Sequence, residues 1–402
     1  MLRRGPPRLL GLVAVGATLI AAGALLQGDD RVSEQAGGAQ GFRGPLQLEH
    51  DELIGFVKQG FRGRTDFARR NVALAEFVPA GPPRNGIPSI DDPKFLSVRR
   101  ADQFLDDTEP VAVVVLRHEI HAYPLQIMVW HEIVNDEIAG EPVALTYCPL
   151  CNSTVAFRRE VGGRKLSFAT TGVIRNSDLV MYDRETFSWW QQLTGEAVVG
   201  ELTGERLSLL GSQILPWRVL RRAHPDARVL ARPTDRPRPY GETPYVGYEG
   251  SDRPYLFRGE PASGLLPLER VAALPLKGRS AVVYPFRRLR RQAPLNDVVA
   301  GEPIVVFFDP AVRSALDRLG IADGAKVGAA AVFSAKLGGE RLTFSTARRP
   351  GRFRDNETGS LWDVSGRAAA GPLAGRRLRP RRHDDQFWFA LAAFYPNAKI
   401  RR

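Results

Sequence analysis

A chain of 402 residues that is 44% hydrophobic, 25% charged and 9% aromatic has a globular balance and material for two or three domains. That excludes a wholly disordered chain, a collagen-like chain and a multi-span membrane protein, and two cysteines exclude both a disulfide-dense scaffold and any site needing four thiolates from one chain. The net charge of +12 comes from 56 Lys and Arg against 44 Asp and Glu, and the excess is arginine, which reads as a solvated arginine-biased surface; no nucleic acid is expected as a partner.

At the N-terminus, Arg3 and Arg4 precede an uncharged, largely apolar run from Leu9 to Leu26, followed by Asp29-Asp30. Residues 1–28 read as a signal peptide or N-terminal membrane anchor. The body is then extracytoplasmic, in the periplasm or at the outer face of the cytoplasmic membrane, and touches the membrane through this segment alone. Residues 29–84 are a tether and N-terminal segment.

Val111–Leu116 predicts a buried strand, and Pro124 predicts the start of a short helix over Leu125–Val134, closed by Asn135-Asp136. Strands are predicted at Val143–Tyr147 and Thr154–Phe157, on either side of Cys148-Pro149-Leu150-Cys151-Asn152. Gly162-Gly163 predicts a hairpin turn into Leu166–Thr170. Short strands follow at Leu179–Tyr182, Phe187–Gln191 and Ala197–Leu202, then a helix at Trp217–Ala223.

Several words then recur. Asn135-Asp136-Glu137-Ile138-Ala139-Gly140-Glu141-Pro142 is echoed by Asn296-Asp297-Val298-Val299-Ala300-Gly301-Glu302-Pro303, and Asp183-Arg184-Glu185-Thr186 by Asp355-Asn356-Glu357-Thr358. The expected fold is therefore α+β and β-rich, with two tandem copies of a mostly antiparallel β unit carrying one or two short helices each. The first copy spans 85–230, a Pro/Gly/Tyr-rich connector 231–264, and a second, degenerate copy 265–402. At the shared offset Cys148 becomes Asp309, Cys151 becomes Val312 and His131 becomes Gln292. Packing and turn residues persist while thiols and imidazole are lost, which places the chemistry in the first copy.

Both cysteines of the chain lie in one Cys-x2-Cys turn, and three readings stay open. A metal knuckle would draw two thiolates onto zinc or copper, with His131 as the natural third ligand. A disulfide would staple the turn of an exported binding or scaffold module. A thiol oxidoreductase would use the pair for redox work. Glu132, Asn135, Asp136, Asn176 and Asp178 are candidates for a surrounding shell or pocket, with Asn176 or Asp178 completing or neighbouring the site. His118 and His121 read as structural. No nucleotide cofactor is expected, since no phosphate loop or dinucleotide fingerprint is present. The partner could be a small molecule, a metal donor or an exported protein.

Gly86-Ile87-Pro88-Ser89-Ile90, Trp130-His131-Glu132-Ile133-Val134-Asn135-Asp136, Tyr147-Cys148-Pro149-Leu150-Cys151-Asn152 and Asn176-Ser177-Asp178 together resemble the exported prokaryotic family catalogued as DUF3179. The resemblance implies an extracytoplasmic setting and no assigned reaction.

Overall fold

The computed structural model describes residues 54, 55, 58, 60–235 and 237–401; the expected leader over 1–28 lies outside the described residues. No described helix is long and apolar enough to cross a membrane.

The described chain begins with β1 (Phe77–Pro79), β2 (Phe95–Ser97) and one helical turn, α1 (Val98–Ala101). The apolar run at 111–116 becomes β3 (Pro110–Leu116), which pairs antiparallel with β4 (Glu119–Pro124). Pro124 caps α2 (Leu125–His131). This helix stops three residues short of the expected end. Glu132 takes φ +58°, and the β-branched Ile133 and Val134 pair with Thr146 and Leu145. Asn135-Asp136 consequently lies inside β5 (Ile133–Ile138) and does not close the helix. β6 (Glu141–Cys148) and β7 (Ser153–Arg158) complete the hairpin around the cysteine turn.

The ribbon β8 (Glu160–Val161) and β9 (Arg164–Lys165) turns at Gly162-Gly163 as expected. β10 (Phe168–Arg175), β11 (Asp178–Asp183), β12 (Trp189–Gln191) and β13 (Glu196–Val199) form an antiparallel sheet with β1 at its edge. β14 (Ser208–Leu210) adds to β7, and β15 (Ser212–Pro216) adds to β3. The predicted helix is α3 (Trp217–Ala223), and β16 (Arg228–Leu230) then runs parallel to β4.

Beyond 264, β17 (Arg270–Leu276) and β18 (Ser280–Pro285) form a hairpin that leads into α4 (Phe286–Gln292). β19 (Leu295–Val299), β20 (Glu302–Asp309) and β21 (Ala329–Ser334) make a three-stranded sheet. After the ribbon β22 (Lys336–Leu337) and β23 (Glu340–Arg341) comes a second meander. It comprises β24 (Phe344–Thr346), β25 (Arg352–Asp355), β26 (Leu361–Asp363) and β27 (Ala368–Ala370). β28 (Asp384–Phe387) lies against β17, α5 (Trp388–Phe394) follows, and β29 (Lys399–Ile400) runs parallel to β18. The fold is β-rich α+β with mostly antiparallel sheets, as the strand rhythm required.

The core is shared across the chain. Ile133, Phe157, Phe168 and Trp190 pack with Val271, Val283, Phe387 and Leu391. In the reverse sense, Val111, Val113 and Trp217 pack with Phe307, Phe333 and Trp362. Burying each such side chain stabilises by about 1.5–3 kcal/mol, so each half contributes to the stability of the other. The cysteine turn sits inside the first of these clusters, where the Phe387 amide donates to the Cys151 carbonyl at 2.9 Å.

Close glycine contacts make the packing testable. A Cβ on Gly366 would fall 2.5 Å from Phe333 Cε1, at a residue with φ +74°. Gly338 also has positive φ, but faces open space. Gly366→Ala is expected to lower unfolding free energy by about 2–4 kcal/mol, through overpacking added to backbone strain. Gly338→Ala should cost only about 1 kcal/mol. Urea unfolding of the two variants checks the difference.

Candidate metal centre

The centre is built from two turns. β6 and β7 pair down to Cys148 opposite Ser153, and the Asn152 amide donates to the Pro149 carbonyl at 3.1 Å. Asn152 closes the turn with φ +51°, a conformation Asn tolerates well. The second turn joins β10 to β11. Arg175 pairs with Asp178, and Asn176 and Ser177 between them have φ +52° and +59°, the pattern of a two-residue hairpin loop with both central residues left-handed. The second turn faces the first. Cys151 Sγ lies 3.3 Å from the Ser177 carbonyl oxygen and 3.3 Å from Asp178 Oδ1, and Cys148 Sγ lies 3.9 Å from the same carbonyl.

One donor atom each from Cys148, Cys151 and Asp178 lies within 4.8 Å of the others, and all three residues are buried. Both cysteines are free thiols. Burial pushes the Cys148 thiol up and the Cys151 thiol well up, the latter also through its hydrogen bonding with Cys148. Burial likewise raises the Asp178 carboxyl to about 6, against the lowering effect of its hydrogen bonds from Gln191 and Leu193. Gln191 Nε2 donates to Asp178 Oδ2 at 2.6 Å, and the Leu193 amide donates to the same oxygen at 3.1 Å. Asp178 is therefore held in one orientation, with Oδ1 directed at the sulfurs.

Glu132 is a fourth titratable group nearby. It is buried, its backbone is left-handed, and its Oε1 accepts from the Tyr245 hydroxyl at 3.3 Å. Burial raises its carboxyl to about 8, and the charge of Asp178 adds to the shift. A carboxyl raised that far is mainly protonated at pH 7. Non-glycine residues held in sparsely populated backbone regions cluster at functional sites, and Glu132 fits that pattern. The connector closes the site from above, with the Tyr248 hydroxyl donating to the Leu150 carbonyl at 2.9 Å and Ser177 Oγ donating to the Tyr255 carbonyl.

The remaining candidates supply none of the three converging donor atoms. His131 is buried, but Nδ1 meets the Pro88 carbonyl oxygen at 2.8 Å and Nε2 meets the Tyr240 hydroxyl at 2.8 Å. It is not one of the three converging donors. Asn135 ties β5 to β10: its Nδ2 donates to the Phe168 carbonyl at 2.8 Å, and the Phe168 amide returns a bond to Oδ1 at 2.8 Å. Asp136 accepts from the Tyr123 hydroxyl at 2.5 Å and contacts His121 Nδ1 at 2.6 Å. Asn176 serves the hairpin turn through its backbone. Gln191, Tyr245 and Tyr248 were not anticipated as site residues. The Tyr-rich spacing of the connector was the available signal for the two tyrosines; nothing local marks Gln191.

The profile of the family described as "Protein of unknown function (DUF3179)" matches residues 84–398, most of the chain, and the protein belongs to that family. Neither the curated proteins nor the solved structures gave a match.

Proposed function

We propose that this is an extracytoplasmic metal-binding protein whose ion is held by Cys148, Cys151 and Asp178, with Tyr245 and Glu132 beside it. One observation carries the reading: two thiols and a carboxylate converge in a buried pocket, where burial raises all three and holds both thiols protonated at pH 7. A divalent cation supplies the charge that lets both thiols ionise beside the carboxylate. A carboxylate beside two thiolates favours zinc over the softer copper(I). Three protein ligands leave a tetrahedral ion one open position, as in catalytic zinc sites. Glu132 can give or take a proton there. The raised thiols argue against a thiol oxidoreductase, which needs thiolate at neutral pH.

We further propose that residues 85–230 and 265–402 are two copies of one unit, the second without the site. Asn296 bonds both backbone groups of Phe344 as Asn135 does those of Phe168. Asp355 receives the Trp362 indole as Asp183 receives that of Trp190. Asp309, at the position of Cys148, forms instead a 2.6 Å ion pair with Arg218. Export by residues 1–28, acting as a signal peptide or a membrane anchor, belongs to the same reading.

Zinc titration of metal-free protein tests the centre. About one equivalent should bind, and Cys148→Ser should abolish most of it. Both thiols are protonated at pH 7 and must release protons to bind, so apparent affinity should strengthen by about tenfold or more per pH unit between pH 6 and 8. Equal zinc content in the wild type and Cys148→Ser removes the proposal.

A further inference from the structure

A cleft of about 670 Å³ lies outside the three converging donors, and its chemistry points to a ligand of its own. Its walls carry five cationic side chains, Arg175, Arg206, Lys277, Arg279 and Arg382, and one carboxylate, Glu196. Arg206 is tied to Glu196 at 2.6 Å, and Arg175 to Glu76 at 2.6 Å. The other three are poorly matched. Arg382 Nη2 pairs with Asp384 at 3.5 Å and Arg382 also interacts with Tyr395, yet its buried Nε and Nη2 make no well-directed hydrogen bond among the described residues. Lys277 and Arg279, exposed at the turn between β17 and β18, make no ion pair among the described residues. Phe394 and Tyr395 supply an aromatic wall.

We propose that this cleft binds a small organic anion. Its charged oxygens would sit on Arg382, Arg279 and Lys277, and its apolar body on Phe394 and Tyr395. The volume is that of small-molecule sites. Guanidinium forks match the planar oxygens of a carboxylate or phosphate, and buried donors without acceptors are costly until an acceptor arrives. The cleft also communicates with the centre. Gln191 lines it, accepts from Arg175 Nη1 at 3.3 Å, and donates to Asp178 at 2.6 Å. The proposal goes beyond the metal reading, since the anion needs no metal to bind.

Calorimetric titration of the full-length protein with phenyl phosphate and with benzoate tests it, with inorganic phosphate and acetate as probes lacking the apolar body. At least one aromatic anion should bind more tightly than its small counterpart, and the choice between the two identifies the headgroup. The double variant Lys277→Ala/Arg279→Ala, whose changes are at exposed positions, should weaken that binding by about tenfold or more while leaving zinc content unchanged. Failure of both aromatic anions to bind with Kd below about 10 mM overturns the proposal. So does equal affinity in the wild type and the double variant. Neither result touches the metal reading, which zinc content tests separately.

Discussion

Asp178→Asn is expected to weaken zinc binding by more than about a hundredfold while leaving the protein folded. Loss of an outer-shell partner alone typically costs 10–100-fold in metal affinity, and a direct ligand should exceed that. Asparagine keeps the shape of Asp178, and its carbonyl can accept the bonds from Gln191 Nε2 and the Leu193 amide. What it removes is the negative oxygen facing Cys151 Sγ. Folding should not suffer, because burial already disfavours the ionised carboxylate. Competition with a chromogenic zinc chelator measures the affinity, and near-UV circular dichroism checks the fold. Unchanged zinc affinity would remove Asp178 from the centre.

Glu132→Gln is expected to stabilise the metal-free protein by about 3 kcal/mol at pH 7 and by nearly nothing at pH 4. The Glu132 carboxyl rises from an ordinary 4.5 to about 8 in the folded state. The folded protein therefore holds this proton at pH values where the unfolded chain has lost it. Stability from this group is fully present below about pH 4.5 and is lost as pH rises toward 8. Glutamine never ionises, so the variant escapes the loss, and its carbonyl can still accept from Tyr245. Urea unfolding at the two pH values reads the effect. Equal stability of variant and wild type at pH 7 would show that Glu132 does not titrate as a buried acid.

The fold was legible wherever local chemistry decided it. The apolar run of β3, the Gly162-Gly163 turn and the helix at Trp217–Ala223 emerged close to expectation because each depends on near neighbours. The end of α2 did not, because it is set by pairing of Ile133 and Val134 with β6 and not by the polar residues that follow. The same distinction holds at the site. Two thiols in one turn must be close, and the polar turn at 176–178 signalled a neighbouring loop. By sequence position alone His131, just before the cysteine strand, is the natural third ligand. Its ring is instead engaged by Pro88 and Tyr240, partners 43 and 109 residues away that no spacing reveals. Gln191 carries no sequence signal for the same reason: its role exists only once β11 and β12 are side by side. Asn135 and Asp136 carried a clue in their echoes Asn296 and Asp297. A pair that recurs where the thiols are lost is doing structural work, and the hydrogen bonds of both pairs agree.

Zinc K-edge absorption spectroscopy on the zinc-loaded full-length protein reads the ligands of the proposed centre. Two sulfur scatterers at about 2.3 Å and oxygen at about 2.0–2.2 Å are expected, with no imidazole signature. A first shell without sulfur, or one whose scattering is unchanged in Cys148→Ser, would contradict that centre.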